Sequence, residues 1–372
     1  MEKVYLDYNA STPIAPEVVE AMTPLLMDYY GNPSALHWAG KPVKELLHKA
    51  RSQVAKLIDC KENEIIFTSG GSEANNLALK GIYFQNLEKG NHIITSKIEH
   101  PAIINPCRFL ERLGAKVTYV EVDQYGRVAP EEIDNAITTE TILISIMHAN
   151  NETGTLQPIK EIGEIAKKHG VVFHTDSSQS IGKVEVNVAD LNVDMLTIAG
   201  HKLYAPKGIG ALYVREGVKL EPLIHGASHE YGMRAGTENT LLAVGLGKAC
   251  ELASKMTLGV QELTTYFWQR LENEFAGRVQ LNGHPTERLP NTLNVSFVGK
   301  VGQDLLDAIP YLAASTGSAC HAGSVELSPV LKEMGVTEKV GMGAIRFSLG
   351  RQTTKEEIDR VVDSLKNIMK EG

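Results

Sequence analysis

Residues 199–210 have the sequence AGHKLYAPKGIG, and they lie between two short apolar stretches. Residues 194–198 (DMLTI) precede this segment, and residues 210–214 (GALYV) begin at its last residue and follow it. Each of the two stretches predicts a β-strand. Lys202 therefore follows the end of a strand. In an α/β protein, ligands collect at the carboxyl edge of the sheet, where a lysine can form a Schiff base with a carbonyl compound. An exposed lysine in a glycine-rich turn is the plainer interpretation, so the rest of the chain must decide between the two.

Composition and charge indicate an ordinary globular chain. Of the 372 residues, 43% are apolar and 22% are charged, which is enough apolar material for one large domain and a smaller one. The formal net charge of −8 gives no basic surface, so direct nucleic-acid binding is not expected. No apolar run reaches the length of a membrane span and no secretory signal is recognisable. We therefore expect no membrane association and a cytoplasmic location.

The spacing of the cysteines also favours a cytoplasmic protein. Their spacing fits neither a zinc site nor a disulfide framework, because the four lie far apart, at Cys60, Cys107, Cys250 and Cys320. We expect no bound metal and a reducing compartment.

The fold class follows from the alternation of strand and helix patterns between residues 64 and 214. This alternation predicts an α/β fold whose large domain has a mainly parallel sheet flanked by helices. A smaller α+β domain is expected after it. We expect an N-terminal arm at residues 1–15 that packs with the small domain, a large domain at residues 16–258, and a small domain at residues 259–372 that carries the Cys320 loop.

The loop at residues 68–75 (TSGGSEAN) joins a predicted strand to a predicted helix. Its glycines, Gly71 among them, expose backbone N–H groups, and Ser72 is a suitable N-cap. Because a helix N-terminus attracts anions, this loop can hold a phosphate group. An ordinary Gly-Gly turn with a serine cap explains it equally well.

Further polar residues follow other predicted strands. His100 can stack on a flat heteroaromatic ring, Asp176 can pair with a protonated pyridine nitrogen, and Gln179 can reach a ring substituent. Residues 150–152 (NNE) follow another strand. Each signal alone is also explained by a turn or a helix cap. Together with Lys202, however, they are the groups that a pyridoxal phosphate site needs, one at each strand end.

At this point the sequence strongly resembles a known family. Asp176-x-x-Gln179 followed by Gly200-His201-Lys202, with residues 68–73 upstream, resembles the cysteine desulfurases. These are class V members of the fold-type I pyridoxal phosphate enzymes. The resemblance covers nearly the whole chain, with matching motifs at residues 6–13 (LDYNASTP), 147–154 (MHANNETG), 315–320 (STGSAC) and 346–351 (RFSLGR).

The resemblance implies a role for each matching residue. Lys202 would bind pyridoxal 5'-phosphate covalently, and Lys202, His100 and Cys320 would be catalytic. The resemblance implies cofactor contacts from Gly71, Ser72, His100, Asn151, Asp176, Gln179, His201, Lys202 and Thr237. It implies substrate contacts from Asn32, Asn151 and Arg346. Thr237 would reach the phosphate bound by the other subunit, so a homodimer is expected.

Cys320 separates desulfurases from other members of this fold. It lies among small residues that leave a thiol exposed, whereas Cys107 and Cys250 lie on predicted helices and are expected to be buried. The resemblance implies conversion of L-cysteine to L-alanine, with the sulfur carried as a persulfide on Cys320 and passed to a protein acceptor. The pathway of the acceptor stays open among iron–sulfur cluster assembly, tRNA thiolation, DNA phosphorothioation and cofactor synthesis.

Other functions remain possible at this stage. Selenocysteine lyase, which converts L-selenocysteine to L-alanine and selenide, has the same fold, and Cys320-His321 is somewhat closer to that branch. In an aminotransferase, Cys320 would be incidental, and a non-catalytic scaffold is a third possibility. The chain also departs from the family. Ala199 stands where a serine is usual, residues 225–229 (HGASH) replace a glycine-rich run, and the tail is shorter than in many desulfurases that serve an iron–sulfur scaffold.

Overall fold

The computed structural model describes residues 2–253, 258–316, 320–321 and 324–371. The strands are β1 (Val4–Tyr5), β2 (Ile65–Thr68), β3 (His92–Ser96), β4 (Lys116–Val120), β5 (Thr141–Ser145), β6 (Val172–Asp176), β7 (Met195–Ala199), β8 (Gly210–Val214), β9 (Val279–Asn282), β10 (Thr292–Phe297), β11 (Leu312–Ala313), β12 (Cys320–His321), β13 (Ser324–Val325) and β14 (Ala344–Ser348). The α-helices are α1 (Pro16–Met22), α2 (Gly40–Ile58), α3 (Gly71–Gln85), α4 (Pro101–Glu111), α5 (Pro130–Ala136), α6 (Ile159–His169), α7 (Thr240–Ala253), α8 (Leu258–Glu274), α9 (Gly302–Asp307), α10 (Pro329–Glu333), α11 (Glu338–Gly341) and α12 (Lys355–Glu371).

A mainly parallel sheet forms the centre of the fold, as predicted. In the described part of the chain it has seven strands in the order β2-β8-β7-β6-β5-β3-β4. Only β8 runs antiparallel to its neighbours β2 and β7 among these strands. Ile65 packs into a cluster of buried side chains that includes residues of α2, α6 and α7, whereas Ile66 packs with residues of α3 and α4. Helices therefore cover both faces of the sheet, which explains why its strands are apolar rather than alternating.

A second, smaller sheet lies after α8. Strand β10 pairs antiparallel with β9 and with β14, and its buried side chains pack with those of α8 and α12. Val4 and Leu6 of the N-terminal arm belong to this same cluster, and β1 pairs in parallel with β11. The division into residues 1–15, 16–258 and 259–372 stays a prediction.

Some local expectations were wrong. The spacing of apolar residues over positions 16–30 predicts one helix, but α1 ends at Met22 and a 3₁₀ turn follows over Thr23–Leu26, because Pro24 cannot continue the α-helical hydrogen bonds. Ser72 is not the N-cap of α3; the helix already begins at Gly71. Within the described residues, no helix is both long and apolar enough to cross a membrane.

Candidate active site

A cleft of about 640 Å³ opens where the central strands end. β2, β3, β6 and β7 end at this edge, and β8 begins there. The residues predicted to form the site that line this cleft are Gly71, Ser72, His100, Asn151, Asp176, Gln179, His201, Lys202 and Arg346. The fold thus brings together residues that lie up to 275 positions apart in the sequence, from Gly71 at the central sheet to Arg346 on β14 of the smaller sheet.

Lys202 ends a 3₁₀ turn that directly follows β7. Its Nζ donates hydrogen bonds to two backbone carbonyls of the N-terminal arm, Asn9 O at 2.5 Å and Ala10 O at 2.9 Å. Burial, together with the positive charge of Arg346, lowers the pKa of the Lys202 amine to about 8. A neutral amine is a nucleophile, so this lysine is prepared to attack a carbonyl group at ordinary pH.

Asp176 is the last residue of β6, and its side chain is held in place from two sides. Asn75 Nδ2 on α3 donates to Oδ2 at 2.7 Å, and the backbone N–H of Ser178 donates to Oδ1 at 2.9 Å. Both oxygens keep lone pairs for a further donor. This buried carboxylate is therefore fixed at the cleft wall and can accept a hydrogen bond from a protonated ring nitrogen.

The start of α3 is shaped to receive an anion. No side chain caps its first turn, so the N–H groups of that turn remain available at the positive end of the helix dipole. A Cβ on Gly71 would lie 3.0 Å from Ser178 Oγ, and a Cβ on Gly210 would lie 2.7 Å from the backbone of Gly70. Glycine at position 210 is therefore required for the close approach between the loop and the start of β8, and a side chain at Gly71 would crowd Ser178 at the cleft wall.

Two histidines line the same cleft. His201 is half-buried, and its Nδ1 lies 3.4 Å from Ser11 Oγ. Burial lowers its pKa to about 4, helped by the charges of Lys202 and Lys207, so the ring is neutral and carries a single N–H. His100 is the N-cap of α4: its Nδ1 accepts the N–H of Ala102 at 3.1 Å, which leaves Nε2 protonated.

Arg346 extends from β14, in the smaller sheet, into the cleft. Its Nη2 lies 2.7 Å from Asp7 Oδ1, and its Nη1 donates to Asn151 O at 3.0 Å. Its buried Nε–H has no hydrogen-bond partner among the described residues. The guanidinium group thus keeps donors free for a carboxylate, and Asp7 holds it at the cleft.

Three predicted site residues are not placed at the cleft walls. Asn32 and Thr237 are exposed and do not line it. The backbone of Cys320 lies in β12, paired with Val325 of β13, but its side chain lies outside the described part of the chain. Cys107 and Cys250 are buried in α4 and α7, as expected.

Sequence reasoning missed several residues of the cleft. Asn9 and Ala10 contribute backbone carbonyls, which leave no trace in a pattern of side chains. Asp7, which does not line the cleft but holds Arg346 there, lies in an arm without helical or strand periodicity. Asn75 could have been found, because it follows Gly71 by four residues in a helix and therefore shares its face.

Comparison with known proteins agrees with this geometry. The aminotransferase class-V family matches residues 4–361. A protein named cysteine desulfurase IscS, from Dictyoglomus turgidum, is 48% identical over 373 residues, which cover 99% of this chain and 94% of that protein.

Solved structures show the same relationship. One described as a NifS-like protein superposes with a TM-score of 0.93 at 35% identity, covering 100% of both chains. Another, described as SspA in complex with cysteine, has a TM-score of 0.84 at 40% identity and covers 93% of this chain and 98% of that one. The family match over residues 4–361 and the 48% identity over nearly the whole chain show that this chain belongs to the aminotransferase class-V family and, within it, to the pyridoxal-phosphate-dependent cysteine desulfurases.

Proposed function

We propose that this protein converts L-cysteine to L-alanine and carries the sulfur as a persulfide on Cys320. The observation that carries the proposal is the meeting of Lys202, Asp176 and Arg346 in one cleft. A nucleophilic amine, a fixed carboxylate and a guanidinium group with free donors are what an amino-acid substrate and a pyridine cofactor require. L-cysteine is the substrate in this proposal because a similar solved structure is described as a complex with cysteine.

The cleft fits pyridoxal 5'-phosphate. The uncapped start of α3, with Ser72 and His201 beside it, would hold the phosphate group. Asp176 would hold the ring nitrogen, Gln179 a ring oxygen, and His100 and Asn151 would lie against the ring. When bound, this cofactor supplies an aldehyde that binds amines and a ring that withdraws electrons from the α-carbon of the substrate.

In the proposed reaction, each residue of the cleft has a separate role. Lys202 Nζ holds the cofactor before the substrate arrives, and afterwards the same amine removes the proton from the substrate α-carbon. Its pKa of about 8 suits both tasks, because the amine is partly neutral near pH 7 to 8. Arg346 binds the substrate carboxylate, and Asn32 is proposed to help orient the substrate.

Cys320 completes the reaction. Its thiolate attacks the sulfur of the substrate, so a sulfur–sulfur bond forms and the bond between that sulfur and the substrate β-carbon breaks. The electron pair of the broken bond stays with the β-carbon, which then takes up a proton to give alanine. Cys320 is left as a persulfide, and a protein acceptor of unidentified pathway removes the outer sulfur.

We further propose that the working unit is a homodimer. Several large apolar side chains of one segment are exposed on the single chain, namely Leu26, Met27, Tyr30, Leu36 and Trp38, each at least 67% exposed. An exposed apolar surface of this kind favours association with a second copy. Thr237, which is exposed and away from the cleft of its own chain, would then serve the cofactor phosphate of the other subunit.

The free thiols of Cys60, Cys107 and Cys250 favour a reducing compartment such as the cytoplasm.

Replacing the thiol of Cys320 tests the proposal directly. In Cys320→Ser the hydroxyl is far less nucleophilic than a thiolate, so we expect alanine release from L-cysteine to fall at least 100-fold while the cofactor remains bound. The matched control is Cys60→Ser, which removes another thiol that does not line the cleft and should leave turnover unchanged. Alanine release by Cys320→Ser at the parent rate would contradict the persulfide mechanism.

A further inference from the structure

Lys183 is a second lysine in the neighbourhood of Lys202. Its Nζ donates to Gln179 Oε1 at 3.0 Å and to Asn9 Oδ1 at 2.9 Å. The strongest charges acting on it are those of two other cations, Lys202 and Arg346. Holding a charged lysine close to other cations is electrostatically unfavourable. We therefore ask what the protein gains by holding the Lys183 amine against two amide oxygens.

We propose that Lys183 is a positioning residue for the cofactor: it holds the amide of Gln179 so that Nε2, and not Oε1, serves the ring oxygen of pyridoxal phosphate. The proposal rests on the function proposed above, which places the cofactor in this cleft. An ammonium group has three donors and no acceptor, so whatever amide atom contacts it must be the oxygen. The charged form of Lys183 can therefore contact only the oxygen end of the Gln179 amide.

The other end of the amide is held as well. Gln179 Nε2 donates one N–H to Asn9 O at 3.0 Å, the same carbonyl that accepts from Lys202. The second N–H of Nε2 remains for the cleft, which Gln179 lines. Gln179 is thus fixed at both ends, and its free donor suits a ring oxygen that carries negative charge.

The charge of Lys183 is part of the arrangement. Burial, together with Lys202 and Arg346, lowers the pKa of Lys183 to about 7. The neutral amine also has a lone pair, but Asn9 O can only accept and keeps Gln179 Nε2 on its side, so Gln179 Oε1 continues to accept from Lys183 on either side of that pH. Asn9 connects these groups: its side-chain oxygen accepts from Lys183, and its backbone carbonyl accepts from both Gln179 Nε2 and Lys202 Nζ. One arm residue therefore positions both the reactive amine and the amide donor.

The test compares two ligands on the same apo-protein. Pyridoxal 5'-phosphate carries the ring oxygen, and 3-deoxypyridoxal 5'-phosphate lacks it but keeps the phosphate, the aldehyde and the ring nitrogen. In Lys183→Met, which preserves length and removes the donors, we expect the Kd for pyridoxal phosphate to rise about tenfold, as for a lost hydrogen bond of a charged group. The Kd for the 3-deoxy ligand should change less than twofold. Equal losses for the two ligands would show a general structural defect and overturn the proposal.

Two further variants keep the result interpretable. Lys219→Met removes an exposed lysine elsewhere and should change neither Kd. Lys183→Arg keeps donors at the position and should preserve the preference for pyridoxal phosphate over the 3-deoxy ligand; a preference lost as completely as in Lys183→Met would overturn the proposal. Failure of the proposed function looks different, since wild-type protein would then discriminate between the ligands but release no alanine from L-cysteine.

Discussion

At the scale of single residues, Lys202 decides the chemistry. Its amine contacts two backbone carbonyls and no carboxylate, so nothing stabilises its charged form strongly enough to offset burial. Arg346 lowers its pKa further, whereas Asp176 and Asp7 act in the opposite direction. The balance leaves the amine partly neutral near pH 8, well below the ordinary pKa of 10.5.

The rate of cofactor capture should therefore follow the ionisation of Lys202. The neutral amine is the reactive form, so capture of pyridoxal phosphate by the apo-protein should rise with pH and level off above about 8. Replacing Arg346 with Gln removes a charge that lowers the pKa of Lys202, so the midpoint should move to higher pH. Rates can be measured by trapping with borohydride, with Nα-acetyl-lysine in parallel to correct for ionisation of the cofactor itself.

Peptide mapping of the trapped protein provides the control for this measurement. The adduct should lie on Lys202, and Lys207→Ala should trap as much cofactor as the parent, although Lys207 also lines the cleft. An adduct on Lys207, or a midpoint near 10.5, would contradict the assigned role of Lys202.

At the scale of elements, a buried ion pair ties α2 to the central sheet. Arg51 on α2 makes two parallel hydrogen bonds with Glu230, at 2.7 and 2.8 Å, and the side chains are only 6% and 3% exposed. Arg51 also donates to Ile65 O, and Glu230 accepts the N–H of Phe67, both on β2. The pair is thus fully hydrogen-bonded, and removing one partner leaves a buried charge unpaired.

Glu230→Gln should destabilise the protein strongly. The neutral amide cannot balance the buried guanidinium charge of Arg51, so we expect the free energy of unfolding to fall by about 3 kcal/mol or more. Urea denaturation followed by circular dichroism measures it. Glu216→Gln, which breaks the exposed pair between Lys61 and Glu216, is the matched control and should leave the midpoint unchanged. Equal effects of the two substitutions would show that burial of the pair is unimportant.

The elements also show how far sequence reasoning reaches. The strand ends at Asp176 and Lys202 could be predicted, because buried strands are apolar and polar residues follow them. The antiparallel direction of β8 could not, since an apolar run such as Gly210–Val214 has the same pattern in either direction. The places of Asn9 and Asp7 depend on long-range pairing of the arm with β11 and β14, which no local pattern encodes.

At the scale of the whole molecule, association and cofactor binding should be linked. If Thr237 serves the phosphate of the other subunit, anything that separates the subunits weakens cofactor retention. Trp38→Glu places a charge on an apolar side chain that is 77% exposed in the single chain, and should raise the dissociation constant of the dimer at least tenfold.

Sedimentation equilibrium at several protein concentrations, with cofactor content measured on the same samples, checks this linkage. Leu113→Glu, at an exposed apolar residue outside the segment of Leu26 to Trp38, is the control and should leave the dimer intact. A Trp38→Glu monomer that keeps its full cofactor content and activity would contradict the shared site.

The N-terminal arm has a consequence for biosynthesis. Val4 pairs with Leu312, and Asp7 contacts Arg346, so each arm residue leaves the ribosome roughly 300 residues before its partner. At ordinary elongation rates this interval lasts roughly 15–60 s. During that time the arm lacks its pairing with β11 and its contact with Arg346, so the carbonyls of Asn9 and Ala10 are held by fewer contacts than in the folded protein. We expect chains truncated before Leu312 to capture the cofactor more slowly than the chain of 372 residues, which borohydride trapping on both would measure.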